Sequence, residues 1–330
     1  MRSTPRAAEM RRTAQVTVMT GCVMMVLASS PAQASTSAYH ALQALDGQLH
    51  EAGWRLTTGN ARYCVDQLPA TGILLHDAGA YPDPPGARAS LSLDGDIAIQ
   101  AVAQGSPAMR AGLRPGMTVT AIDDIDPARA RSQDEPPWQR LQAIRDTIDA
   151  LLARDGAVRV TWRAPDAASG SVLLGSVAAC RTRFEVAAVG TRALADGSRV
   201  VLGDRFPGFA YPADEFAAAV AHELAHNVLG HRAWLETNGR SRRNVRLTER
   251  EADRLAPWLL ANAGYDPAAM ARFMARWGPR HGGGLFRKRT HEGWDERVEA
   301  IEAELPLIAS VRGPGGGADW SAHFRREIEP

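Results

Sequence analysis

Residues 219–231 read AVAHELAHNVLGH. His222 and His226 stand four apart in a segment that is apolar almost all round, so on a helix both imidazoles leave one face about a turn apart. That spacing suits two corners of a tetrahedral zinc. Glu223 lies about 100° round the same helix, where its carboxylate can reach a water on the metal's open position and act as general base. The five-residue pattern alone arises by chance in roughly one chain in a hundred of this composition. The chemistry therefore requires a third ligand, a compartment and a part that handles substrate.

The third ligand is sought first downstream. A histidine six residues after His226 would give the metzincin arrangement, but His231 comes five after and reads as a structural or surface histidine. The segment TEREAD offers a carboxylate instead, with Glu249 and Asp253 four apart on one helical face. Glu251 projects about 200° from Glu249, so the two cannot face one metal together. Thr248 and Glu251 have the spacing of a capping box. Glu249 is the preferred ligand over Glu251.

Three segments in this order, HELAHNVLGH, EREADRLAPWLLANAGYDPAAM and RTHEGWDERVEAIEAEL, resemble the prenyl-protease-type family of zinc metallopeptidases over roughly residues 176–310. The resemblance implies one Zn2+ per chain held by His222, His226 and Glu249. It also implies Glu223 as the base and Asp253 as the group that orients a ligand histidine. His291 falls where the family has a histidine near the site, with Arg297 matching a following arginine, although Glu292 replaces the family's proline. The resemblance gives His291 a place near the zinc or the oxyanion; a helix-start histidine without a catalytic role is the alternative. Arg192-Ala193 stands where the family prefers Asn-Ala before its edge strand.

The elements that position these residues are legible in outline. A helix is expected from Tyr39 to about Arg62, with Leu42, Leu45, Leu49 and Trp54 at helical spacing. Residues 66–88, rich in Pro and Gly, read as loop. Then IAIQAV and TVTAIDDI read as strands around the turn-helix GSPAMRAGL, followed by the amphipathic helix WQRLQAIRDTIDALLAR and the strand AVRVTWRA. This order resembles the PDZ domain of exported bacterial proteases over about residues 86–175. PDZ domains add an extended peptide to a sheet edge, but the Gly-rich carboxylate loop has no counterpart in ARASLSL. Beyond it come two strands, one long helix from PADEF to RAWL, a basic loop GRSRRNVR, and three further helices. Arg240, Arg242, Arg243 and Arg246 of that loop read as a solvated face, or as a lid or a contact with anionic lipid.

The expected fold class is therefore α+β: a mainly helical zincin-like domain with a small edge sheet, interrupted by an inserted PDZ-like β-rich module. The divisions are 1–34, 35–85 (helix and linker), 86–175 (the insertion), 176–311 (the peptidase domain) and 312–330 (a flexible tail).

Residues 1–34 read as a secretory signal peptide: Arg2, Arg6, Arg11 and Arg12, an apolar run, and a cleavage site at Ala32-Gln33-Ala34. A retained membrane anchor is the alternative. Cleavage removes those four arginines and Glu9, taking the +1 of the full chain to −2. No later apolar run approaches the roughly 18 residues of a membrane span. Cleavage also removes Cys22 and leaves Cys64 and Cys180, an expected disulfide in an oxidising compartment that would pin the two stems of the insertion. A net charge near zero gives no electrostatic case for nucleic acid. The reading is a periplasmic or secreted zinc endopeptidase acting on unfolded or misassembled envelope polypeptides. Its rival is a PDZ-based peptide-binding or chaperone-like protein with a closed or non-catalytic zinc site.

Overall fold

The computed structural model describes residues 31–130, 137–281, 293–313 and 316–328. The segment read as a signal peptide lies outside them except for its last four residues, which begin the first helix. The fold is mixed α+β. In chain order the elements are α1 (Pro31–Asn60), β1 (Gln67–Ala70), β2 (Ile73–Asp77), α2 (Pro84–Leu91), β3 (Ile97–Val102), α3 (Pro107–Arg110) and β4 (Thr118–Ile122). Next come α4 (Pro137–Asp155), β5 (Ala157–Arg163), β6 (Ser169–Gly175), β7 (Val177–Cys180), β8 (Arg183–Ala187), β9 (Ala193–Ala195) and β10 (Arg199–Gly203). The chain ends in helices: α5 (Ala213–Val228), α6 (His231–Asn238), α7 (Arg242–Asn262), α8 (Ala269–His281), α9 (Trp294–Val311) and α10 (Trp320–His323).

Two hydrophobic clusters form. One fills an antiparallel five-stranded sheet, β2-β3-β4-β5-β6, covered by α4; Ile99, Val119, Val158 and Leu174 of the strands meet Ile144 and Ile148 of the helix. The other joins α1, α5, α7, α8 and α9 over the mixed sheet β8-β10-β9, with Leu56, Phe216, Leu224, Trp258 and Ile301 buried in it. Between the clusters runs a stem, β1 paired antiparallel with β7, closed by the disulfide Cys64–Cys180. The bridge joins residues 116 apart in sequence, the two ends of the chain that leaves for the five-stranded sheet and returns.

Four local expectations are corrected. Residues 66–88 are not loop: they contain β1, β2 and the start of α2, so the five-stranded sheet begins at Ile73 rather than after residue 86. The turn before β2 uses Gly72 at φ +83°, a conformation open to glycine, and Asp83 caps α2 by accepting from the Gly86 N–H. The Pro and Gly there punctuate short elements rather than erase them.

The long helix through His222 is broken. Gly230 takes φ +69° after Val228, so α6 sets off in a new direction from His231. Next, the basic segment is loop only at Gly239–Ser241 and helix beyond: the Ser241 hydroxyl accepts from the Asn244 N–H and α7 starts at Arg242. Thr248 and Glu251 therefore lie inside α7, buried, and form no capping box. Finally, the C-terminal segment is packed. Trp320, Phe324 and Ile328 are buried, and the Trp320 indole N–H donates to Oδ1 of Asn60 on α1.

Candidate metal centre

Helix α5 places His222 and His226 inside the fold because it is apolar on nearly every side and buried between α7, α8 and the mixed sheet. Asp214 and Glu215 lie in its first turn, complementing the helix dipole. Asn227, one residue past His226, ties the helix to the β9–β10 hairpin: its carboxamide accepts from the Gly197 N–H (2.8 Å) and donates to the Arg199 carbonyl (3.1 Å). That tether sets β9 beside the histidines. Among the described residues β9 pairs only with β10, so its other edge has no strand partner there, and β9 lines the same cavity.

The HELAH segment and the Glu249 segment meet through packing of α5 against α7. Nε2 of His222 and Nε2 of His226 are 3.3 Å apart. Glu249 places Oε2 3.6 Å from the first and Oε1 3.5 Å from the second. Donor atoms on a tetrahedron around zinc, at bonds of about 2.0–2.2 Å, lie about 3.3–3.6 Å from one another. The group His222, His226 and Glu249 therefore fits a metal ion both in donor type and in spacing. Glu251 does not join it, as the helical angle requires.

Each ligand is shaped by its surroundings. Burial disfavours charge on His222, but the carboxylates of Asp253 and Glu249 outweigh burial and raise it to about 10. A proton there occupies ground that a cation would take. Burial, then the neighbouring His222 charge, lowers His226 to about 3, which leaves it a neutral imidazole. Glu249 resists burial and is held well below the usual carboxylate range by the histidines and Arg297. Glu223 lines the cavity beside the cluster, and burial pushes its carboxyl up to about 7. A base poised near neutrality suits proton transfer.

Asp253 is buried, with Oδ1 3.0 Å from Nδ1 of His222, an ion pair rather than a well-aligned hydrogen bond. Arg297 of α9 grips the same carboxylate with two N–H donors, one at 2.8 Å, and lies 3.7 Å from Glu249. His291 lies outside the described residues. The cavity of about 560 Å³ is walled by Phe206, Phe273 and Trp277 and rimmed by Arg192, Arg232 and Arg240.

Sequence reasoning missed one connection. His231 is buried, and its Nδ1 lies 2.9 Å from Nδ1 of His226 while its Nε2 lies 3.0 Å from Oε2 of Glu251. The signal was present in Gly230, which lets the chain turn back immediately after α5. Comparison with protein-family models, with curated proteins and with solved structures returns no match.

Proposed function

We propose that the chain is an exported zinc metalloendopeptidase of the prenyl-protease type, acting on extended or unfolded polypeptides. The observation that carries the reading is the coincidence of three donors at tetrahedral spacing with a half-buried glutamate of raised pKa in the same cavity. His222, His226 and Glu249 would hold the ion. Zinc bound there supplies Lewis acidity toward a peptide carbonyl and acidifies a coordinated water. Glu223 takes the proton of the attacking water and returns it to the leaving amine. The edge of β9 that has no strand partner among the described residues offers backbone groups to an extended substrate beside Glu223, which suits any sequence held as a strand. A zinc serving only structure needs no adjacent base, so Glu223, which lines the cavity beside the cluster, favours catalysis.

The five-stranded unit is read as the PDZ-like module inserted between the stems that Cys64–Cys180 joins. That disulfide supports an oxidising compartment, and among the described residues no helix is long and apolar enough to cross a membrane. A second reading, peptide binding without cleavage, is favoured by a separate cavity of about 770 Å³ beside the outer strand β2 and α4, lined by Leu74, His76, Leu141 and Arg145. Digestion of an unfolded protein by the wild type and by Glu223→Gln, each loaded with zinc, separates the two.

A further inference from the structure

The C-terminal segment reaches the metal centre through a line of hydrogen bonds. Glu251 is fully buried in α7 and receives four donors from outside its helix. The backbone N–H groups of Glu327 and Ile328 both donate to Oε1, at 2.5 and 3.0 Å. Arg326 donates to Oε2 at 3.0 Å, and Nε2 of His231 lies 3.0 Å from the same oxygen. A group surrounded by so many donors accepts only, so the nitrogen of His231 that faces it carries a hydrogen.

The rest follows from the two ring nitrogens of a neutral imidazole. With Nε2 of His231 protonated, its Nδ1 is a bare acceptor, 2.9 Å from Nδ1 of His226. His226 must donate there, which leaves its Nε2 bare and directed toward His222 and Glu249. Nε2 bare is the form a metal requires. Asp253 acts directly on His222, whereas Glu251 acts on His226 through His231.

We propose that His231 and Glu251 are positioning residues that fix the metal-binding tautomer of His226, and that the C-terminal segment 326–328 holds Glu251 in place for this role. The segment is itself anchored: Glu327 pairs with Arg250 (3.1 Å) and Arg254 (2.9 Å), while Phe324 and Ile328 are buried. The proposal rests on the metal reading of the site but not on peptide cleavage.

Glu251→Gln is the sharpest perturbation. Its carboxamide oxygen is retained at the Oε1 position by two backbone N–H donors, so its NH2 faces His231. A donor there moves the His231 hydrogen to Nδ1 and forces His226 to carry its own on Nε2. Nitrogen-15 spectra of the metal-free protein read the tautomer, and competition with a chromophoric chelator reads zinc affinity. In the wild type His226 is expected to carry its hydrogen on Nδ1. In Glu251→Gln the hydrogen moves to Nε2 and zinc affinity falls about 10–100-fold.

His231→Asn, whose carboxamide oxygen can accept from His226, is expected to retain affinity within a few-fold; His231→Leu is expected to lose as much as Glu251→Gln. Equal zinc affinity for the Asn and Leu variants would overturn the proposal even if Glu251→Gln does not fold, and so would an unchanged tautomer in Glu251→Gln. A wild type that shows the Nδ1–H tautomer yet binds no zinc would instead overturn the metal reading and leave the relay standing.

Discussion

Oδ1 of Asp253 sits 3.0 Å from Nδ1 of His222, the ring nitrogen remote from the one that faces His226 and Glu249. The carboxylate is itself held by Arg297, so ring, carboxylate and guanidinium form one braced unit across α5, α7 and α9. A ligand fixed before the metal arrives loses less freedom on binding it. Asp253→Asn keeps the shape but gives up the charge that faces His222 and Arg297. Its zinc affinity is expected to fall about 10–100-fold, measured by chelator competition. Affinity equal to the wild type would show that Asp253 serves only to pair Arg297.

The disulfide should matter to stability more than to the site. Cys64 and Cys180 close a loop spanning the five-stranded sheet and lie at the stem, remote in sequence from His222, His226 and Glu249. Replacing both by Ser is expected to cost about 2–5 kcal/mol, seen as a lower urea midpoint, with zinc affinity unchanged. A midpoint that does not move would mean that β1–β7 pairing and the two cores hold the stem unaided.

Asp46 gives a pH signature. It sits on α1, where burial raises its carboxyl to about 6 against hydrogen bonds from Gln100 and Val186 and the charge of Arg145. An acid held above its unfolded value of 3.8 keeps its proton longer when folded, so its favourable contribution is complete below about pH 4 and is lost as pH rises to about 6. Asp46→Asn lacks that proton equilibrium. Its stability relative to the wild type is expected to rise by on the order of 2 kcal/mol between pH 4 and pH 7, followed by chemical denaturation across that range. A constant difference would place Asp46 in contact with water at both pH values.

The sequence carried the grouping of His222, His226 and Glu249 because helical periodicity turns spacing into geometry. His222, His226, Glu249 and Asp253 are each four apart within their own helix, and the packing of α5 against α7 brings the two pairs together. Three strands of the five-stranded sheet, β3, β4 and β5, were legible, because apolar runs alternate there with clear turns; β6 at Ser169–Gly175 went unread. β2 was missed at Ile73–Asp77, because Pro69, Gly72 and Pro82 flank a strand of only five residues. His231 was read without a partner because its partners, His226 and Glu251, come from two helices that only Gly230 and tertiary packing bring to it. Trp320 and Phe324 were lost among the glycines around them, although two buried aromatics in a short stretch mark a segment that docks.

The central claim is that Glu223 is the base of a zinc endopeptidase. Purified wild type and Glu223→Gln, matched for zinc content, should be incubated with an unfolded casein-type substrate, with and without chelator. The account predicts cleavage by the zinc-loaded wild type, none with chelator, and a loss of at least about 100-fold in Glu223→Gln at unchanged zinc content. Cleavage that survives in Glu223→Gln, or a zinc-loaded wild type that binds the substrate and leaves it whole, would contradict it.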